Sequence, residues 1–133
     1  MLHRLINPWP WSLNHGYSQA ALIPAGAQQL IVSGQTSVNA EGAPQHPRDM
    51  RAQIALSLDN LQTVLEVADM SMENVTRLGI FATDMDAVLA NFDLIGMRFG
   101  PTDNTPPMTL LGVEHLALSP LMFEIEATAH ACP

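Results

Sequence analysis

Residues 121–130 read LMFEIEATAH, and this stretch decides the fold because apolar and polar side chains alternate along it. Side chains that alternate with a period of two lie on opposite faces of a β-strand. One face is made by Leu121, Phe123, Ile125, Ala127 and Ala129, and the other by Met122, Glu124, Glu126, Thr128 and His130. The pattern therefore predicts a strand that buries one face and carries two carboxylates on the other.

Two helices are predicted upstream of this strand, and each has an apolar face to bury. Between Arg48 and Asp69 the larger apolar residues recur every three or four positions; they are Met50, Ile54, Leu58, Leu61, Leu65 and Ala68. Pro47 fits the first turn of this helix. Asp84 is a good N-cap for a second helix that ends at Gly100-Pro101. The apolar face of that second helix is made by Val88, Phe92, Ile95 and Phe99.

The remaining β-leaning segments complete a sheet. They are residues 2–6, 19–23, 29–35, 75–83 and 108–113. The turn Pro24-Ala25-Gly26-Ala27 predicts a hairpin between 19–23 and 29–35. Apart from the short segment 2–6, the order ββ, α, β, α, ββ predicts an α+β fold in a single domain of residues 1–133, with a mixed sheet and two helices on one face. The other face needs cover, which association of several sheets into a barrel supplies.

The composition limits the classes of function. The formal net charge is -8, all five basic residues are arginines, and there is no lysine. A lysine Schiff base is therefore excluded. Scattered arginines in an acidic chain neutralise phosphates poorly, so no nucleic-acid partner is expected. With 47% hydrophobic and only 14% charged residues, much of the surface must be weakly polar, which predicts contacts between subunits.

The cysteine and histidine positions predict a cytoplasmic protein without a metal or another cofactor. Cys132 is the single cysteine, so no internal disulfide can form and a reducing compartment is expected. The five histidines are His3, His15, His46, His115 and His130, and no pair has the spacing of a zinc site. No apolar run approaches the roughly twenty residues that span a bilayer, so no membrane partner is expected.

Four segments, read in order, resemble the YjgF/RidA family across nearly the whole chain. They are Gly16-Tyr17-Ser18-Gln19-Ala20, Val32-Ser33-Gly34-Gln35, Phe81-Ala82-Thr83-Asp84-Met85 and Phe123-Glu124-Ile125-Glu126-Ala127, with Asp59-Asn60-Leu61 between the second and third. The resemblance implies a chorismate-mutase-like homotrimer with small-molecule clefts between subunits. For the best-known branch it implies hydrolytic deamination of reactive enamines and imines, such as 2-aminoacrylate, to the keto acid and ammonia.

The resemblance also implies roles for individual residues. Tyr17 and Glu124 match the family's catalytic positions, where the tyrosine shapes the pocket and the carboxylate handles the attacking water. Ser33 and Gly34 match its pocket wall, and Thr109 matches a substrate-binding position. Alternation alone cannot separate Glu124 from Glu126, which shares its face and is expected to be structural.

Met108 is where the chain departs from the deaminase branch, which typically has Pro-x-Arg-Ser/Thr where this chain has Pro106-Pro107-Met108-Thr109. Arginine grips a carboxylate through two charge-assisted hydrogen bonds, whereas a thioether offers only apolar contact. The substrate therefore lacks the usual carboxylate, or another group holds it. The chain also has His15-Gly16-Tyr17 where the family has Gly-Pro-Tyr, so His15 adjoins the site.

Two classes of function stay open on this sequence: a hydrolase, and a non-catalytic binding or regulatory trimer on the same scaffold. Ribonuclease activity, known for some relatives, is disfavoured by the acidic charge and the lack of lysine. His115 could reach the cleft from a turn, or it is a loop histidine. Trp9 and Trp11 either anchor an interface or pack locally.

Overall fold

The computed structural model describes all residues from Met1 to Pro133. Its six strands are β1 (Arg4–Ile6), β2 (Ala20–Leu22), β3 (Gln28–Gln35), β4 (Val75–Ala82), β5 (Met108–Gly112) and β6 (Phe123–Ala131). Its α-helices are α1 (Met50–Val67), α2 (Met85–Ala90) and α3 (Asp93–Phe99), and short 3-10 helices span Pro10–His15 and Met72–Asn74. No helix is both long enough and apolar enough to cross a membrane.

Four of the strands form a mixed sheet in the order β3-β6-β4-β5. Strand β6 is antiparallel to both of its neighbours, and β5 is parallel to β4. The predicted α+β class with a mixed sheet is confirmed.

The predicted hairpin between residues 19–23 and 29–35 is wrong. Strand β2 pairs with β1 in a separate two-stranded sheet, and β3 pairs with β6. The reason lies in Asn7, whose Oδ1 accepts the Gln19 amide at 3.0 Å while its Nδ2 donates to Ser18 Oγ at 3.2 Å. These bonds hold the end of β1 against the start of β2, a long-range choice that turn residues alone do not reveal.

The helices pack on one face of the sheet, as predicted. Fully buried side chains of α1, among them Ile54 and Leu58, share one core with Ile80 and Ile125 of the sheet. The later helices add Val88, Ile95 and Phe99 to the same core.

Both predicted helices begin or continue differently from the prediction. The first begins at Met50 and not at Arg48, because the Asp49 side chain accepts a hydrogen bond from the Ala52 amide at 3.0 Å and caps α1, which leaves Pro47 outside the helix. The second is divided into α2 and α3. There the Asn91 side chain donates to the Ala87 carbonyl at 2.8 Å, and the Asn91 and Phe92 amides bond only three residues back. Asparagine competes for backbone groups in this way and interrupts helices.

Buried Gln53 connects α1 to the start of β6. Its Oε1 accepts the Met122 amide at 2.7 Å, and its Nε2 donates to the carbonyls of His46 at 3.0 Å and Pro120 at 2.9 Å. The helix therefore fixes where β6 begins, and with it the position of Glu124.

The sheet face opposite the helices, called the open face here, carries both charged and apolar side chains. Glu124 and Glu126 of β6 lie on it, because their neighbours along the strand point into the core. Ile31 and Leu111 also lie on it and are 74% and 50% exposed. Exposed large apolar side chains on a sheet face are typical of surfaces that another protein covers.

His130, at the end of β6, makes the stability depend on pH. Burial holds the pKa of His130 below its usual value, and the nearby His3 lowers it further. The Nδ1 atom of His130 lies 2.8 Å from Thr76 Oγ1. Between the two pKa values the unfolded chain binds more protons than the folded one, so the free energy of unfolding rises with pH there. The stabilisation is complete above the ordinary pKa of 6.5 and is lost as pH falls toward the lower folded value.

We therefore expect the free energy of unfolding, measured with urea, to fall between about pH 7.5 and pH 5, and to fall less in His130→Gln. His115→Gln is the matched control, because that side chain is 83% exposed. It should keep the wild-type pH dependence. An identical pH dependence in wild type and His130→Gln would contradict the assignment.

Candidate functional site

Tyr17 is held in place by the turn that precedes it. Gly16 ends the first 3-10 helix with a φ of 83°, a left-handed conformation that glycine adopts without strain. The Tyr17 amide donates to the Ser12 carbonyl at 3.2 Å. The ring of Trp11 then meets the Tyr17 ring edge to face, with centroids 6.1 Å apart. Trp11 therefore packs locally against Tyr17, one of the two roles that the sequence left open for it.

Met108 and Thr109 come next to Tyr17 through a short parallel bridge. The bridge joins Ser18 to Pro107, with the Ser18 amide 3.4 Å from the Pro106 carbonyl. The Leu78 amide donates to the Pro107 carbonyl at 3.0 Å, which fixes this segment to β4. The start of β5 is therefore held from both sides.

A cleft of about 900 Å³, called the main cleft here, opens between the first 3-10 helix, α3 and β5. Tyr17, Met108 and Thr109 line it together with His15. Much of the remaining wall is apolar and includes Leu13, Phe92, Ile95, Phe99 and Leu110. This is a cavity of the size that ordinarily holds a small molecule.

The main cleft contains no free cation. Asp93 is the one aspartate, glutamate, lysine or arginine that lines it. Its Oδ1 and Oδ2 accept hydrogen bonds from Nη1 and Nη2 of Arg51 at 3.0 and 2.9 Å. These hydrogen bonds hold the pKa of Asp93 below its usual value and raise the pKa of Arg51. Because Arg51 is already paired with Asp93 and no arginine lines the cleft, the cleft wall offers no free guanidinium that would grip a carboxylate.

Glu124 lies on the open face beside Ser33 and Gly34, where β3 has an irregular register between Val32 and Gln35. Its carboxyl group occupies the space that a side chain at Gly34 would need. A Cβ atom there would lie 2.6 Å from Glu124 Cδ and 2.9 Å from its Cγ. The missing side chain at Gly34 therefore makes room for the carboxylate.

Glu126 has a different glycine beneath it. A Cβ atom at Gly79 would lie 2.8 Å from Glu126 Cγ and 3.4 Å from Arg77 Nη1. Glu126 thus leans toward β4 and Arg77, whereas Glu124 leans toward β3. The four ion pairs of the chain involve other carboxylates, those of Glu73, Asp93, Asp59 and Glu114.

The six residues predicted for the site fall into two groups. Tyr17, Met108 and Thr109 lie together in the main cleft, and Glu124 lies with Ser33 and Gly34 on the open face. Strand β4 separates the groups, so Glu124 and Thr109 are two strands apart, a distance of about 10 Å across a sheet. One copy of the chain does not bring the groups together.

Asn104 is part of the main cleft, whereas His115 is not. Asn104 was not predicted, yet it lines the main cleft, and its buried side chain donates to the carbonyls of Met72 at 3.0 Å and Val75 at 2.7 Å. His115 is 83% exposed beside Glu114 and does not line the main cleft. No three His, Cys, Asp or Glu side chains lie close enough to hold a metal ion.

Comparison with known proteins places the chain in one family. Residues 11–131 match the family model described as Endoribonuclease L-PSP. YyfB from Yersinia pestis, a protein of the conserved Rid family, is 32% identical, with a TM-score of 0.90 over 98% of this chain and 100% of that one. YyfA of the same organism and family is 27% identical, with a TM-score of 0.72 over 86% of this chain and 87% of that one.

A more distant likeness shows the fold alone. TdcF of Escherichia coli, whose crystal structure holds bound serine, is 24% identical, with a TM-score of 0.71 over 86% of this chain and 87% of that one. No curated protein sequence matches the chain.

The contact between Gly34 and Glu124 can be tested by a double-mutant cycle. Gly34→Ala forces the carboxyl group out of its place, so we expect a loss of about 1 kcal/mol of unfolding free energy. In a Glu124→Ala background the loss should shrink by at least about 0.5 kcal/mol, as measured by urea denaturation. Gly96→Ala is the control, because a Cβ atom there meets nothing within 4 Å. Strictly additive effects of the two changes would contradict the contact.

Proposed function

The chain belongs to the YjgF/RidA family, and from that membership we propose that it hydrolyses reactive imines or enamines at a site shared between subunits of a homotrimer. In this proposal residues 1–133 form one domain that acts in the cytoplasm, where the exposed thiol of Cys132 stays reduced.

The observation that carries the proposal is the separation of the two residue groups. Tyr17 and Met108 line a cleft that holds no free carboxylate, and Glu124 lies on the open face without an ion-pair partner. A second copy that covers the open face can bring its own main cleft to Glu124. The site is then complete only in the assembly, which gives oligomerisation a chemical reason.

The chemistry requires only groups that this chain has. Water adds to the carbon of the C=N bond, and the Glu124 carboxylate orients that water and accepts its proton. The carboxyl group passes this proton to the imine nitrogen, which completes the carbinolamine. The carboxylate then transfers the hydroxyl proton of the carbinolamine to the same nitrogen, which leaves as ammonia while the oxygen becomes the carbonyl of the product. Tyr17 shapes the pocket, and backbone groups near Ser33 and Met108 hold the polar end of the substrate.

A non-catalytic binding or regulatory trimer is the alternative. Met108, and the pairing of Asp93 with Arg51, leave the main cleft without the cation that would clamp an amino-acid-derived substrate. Bound serine in TdcF supports small-molecule binding in this family, whatever the chemistry. Ribonuclease activity, to which the description of the family model refers, finds no support in a chain with a net charge of -8 and no lysine.

The assembly is tested by its mass. We expect light scattering at micromolar concentration to give three times the chain mass of 14.4 kDa, because the open face must bury Ile31 and Leu111. Ile31→Glu should lower the mass by placing a charge on that face. Val67→Glu is the control, since Val67 is 84% exposed at the end of α1. A monomeric wild type would refute the trimer.

The hydrolase is tested with imines generated in situ by an amino-acid oxidase. Glu124→Gln should keep the fold and the mass but lower turnover by about 10²- to 10⁴-fold, because the amide cannot accept the proton of water. Glu126→Gln, on the same face, should alter stability more than turnover. Equal turnover in wild type and Glu124→Gln would remove the assigned role, and ligand binding without turnover would favour the binding protein.

A further inference from the structure

We infer that Arg77 binds the carboxylate of the ligand, in a groove that adjoins the main cleft. This side groove, of about 540 Å³, shares Tyr17, Met108 and Thr109 with the main cleft. The inference deepens the proposed function and rests on it for the reacting part of the molecule. Arg77 would bind the carboxylate that an arginine at the position of Met108 binds in the deaminase branch.

Arg77 is an arginine at the edge of the site that no ion pair engages. Arg51 and Arg98 are engaged by Asp93 and Asp59, whereas Arg77 takes part in none of the chain's four ion pairs. Of the five arginines, it alone lines either the main cleft or the side groove. Its planar guanidinium presents donors in the geometry that a carboxylate accepts.

The rest of the side groove is rich in neutral polar groups. Hydroxyl and amide side chains line it around Arg77; they are Ser18, Gln19, Gln29, Thr76, Thr109 and Thr128. The Nε2 atom of Gln19 is buried and has no hydrogen-bond partner within the chain. An unpaired buried donor is costly, and an acceptor brought by a ligand would remove that cost. Arg77 and Gln19 together therefore favour an anion.

The position of Arg77 also sets the kind of anion. Leu78 is paired with Met108 in the parallel β4–β5 ladder, so Arg77 lies beside Pro107, one strand away from the family's arginine position. A ligand that reaches both places has an apolar body in the main cleft and a carboxylate beyond Tyr17. The structure thus points to 2-keto or 2-imino acids with large apolar side chains.

Glu126 limits the charge that the side groove accepts. Both side chains lie over Gly79: a Cβ atom built on that glycine would be 3.0 Å from Glu126 Cδ and 3.4 Å from Arg77 Nη1. The carboxylate is close to Arg77 without forming an ion pair with it. One neighbouring negative charge repels a phosphate dianion more strongly than a single carboxylate. A monovalent acid is therefore the favoured ligand.

The test is equilibrium binding of two probes to the full chain, measured by calorimetry: phenylpyruvate and its uncharged analogue phenylpyruvamide. We expect wild type to bind the acid about tenfold or more tightly than the amide, the range of a charged hydrogen bond. Arg77→Gln should abolish that preference, because acid binding loses a charged hydrogen bond whereas amide binding loses at most a weaker neutral one. Arg48→Gln is the matched control, because Arg48 lines neither cavity. It should behave as wild type.

A second variant separates the loss of a carboxylate-binding group from a loss of folded structure in Arg77→Gln. Met108→Arg in the Arg77→Gln chain should restore the preference for the acid, because Met108 borders both cavities. The inference would be overturned by no preference for the acid in wild type, by an unchanged preference in Arg77→Gln, or by a loss of the wild-type assembly in Arg77→Gln, which would make Arg77 a residue of the assembly and not of the ligand site. Acid binding through Arg77 without any imine turnover would refute the hydrolase and leave the carboxylate site standing.

Discussion

The two-sided character of β6 is the constraint on which the rest of the structure depends. This strand lies between β3 and β4, with Phe123 and Ile125 fully buried on one side and Glu124 and Glu126 on the other. A register slip of one residue would exchange the two faces and bury both carboxylates. Gln53 opposes such a slip, since its bond to the Met122 amide ties the start of the strand to α1. The register of β6 therefore determines both which side chains form the core and where Glu124 lies.

Periodicity made most of the elements predictable, and local polar side chains explain where the prediction stopped. The alternation in β6 and the apolar face of α1 each extend over several turns or residue pairs, so isolated polar residues do not obscure them. Asn7 and Asn91 act differently, because one side chain decides a strand partner or a helix end. Asn7 bonds residues that lie 11 and 12 positions away, and Asn91 donates to Ala87 and also accepts from Arg51 at 3.3 Å. Periodicity does not reveal these partners, so the false hairpin and the divided helix could not be foreseen.

The motifs proposed the residues of the candidate site, but nothing in them indicated that the fold divides these residues into two groups. Motifs selected Tyr17 and Glu124, yet the direction in which Glu124 leans depends on a glycine of the neighbouring strand. Arg77 was one of five arginines without a distinguishing motif. Its significance appears only when Arg51 and Arg98 are seen to be paired and Arg77 is seen to line the same groove as Tyr17.

Asn104 has a consequence for the energetics of the whole cleft. Its side chain binds the carbonyls of Met72 and Val75, its Oδ1 lies 2.9 Å from His3 Nε2, and it lines the main cleft. The segments around His3, Met72 to Val75 and Asn104 thus meet at one buried amide, and segments joined in this way are expected to open together. A ligand that occupies the cleft then slows hydrogen exchange in the N-terminal strand as well, because a ligand that binds only the closed state makes opening rarer. Amides around His3 can in this way report cleft occupancy without contacting the ligand.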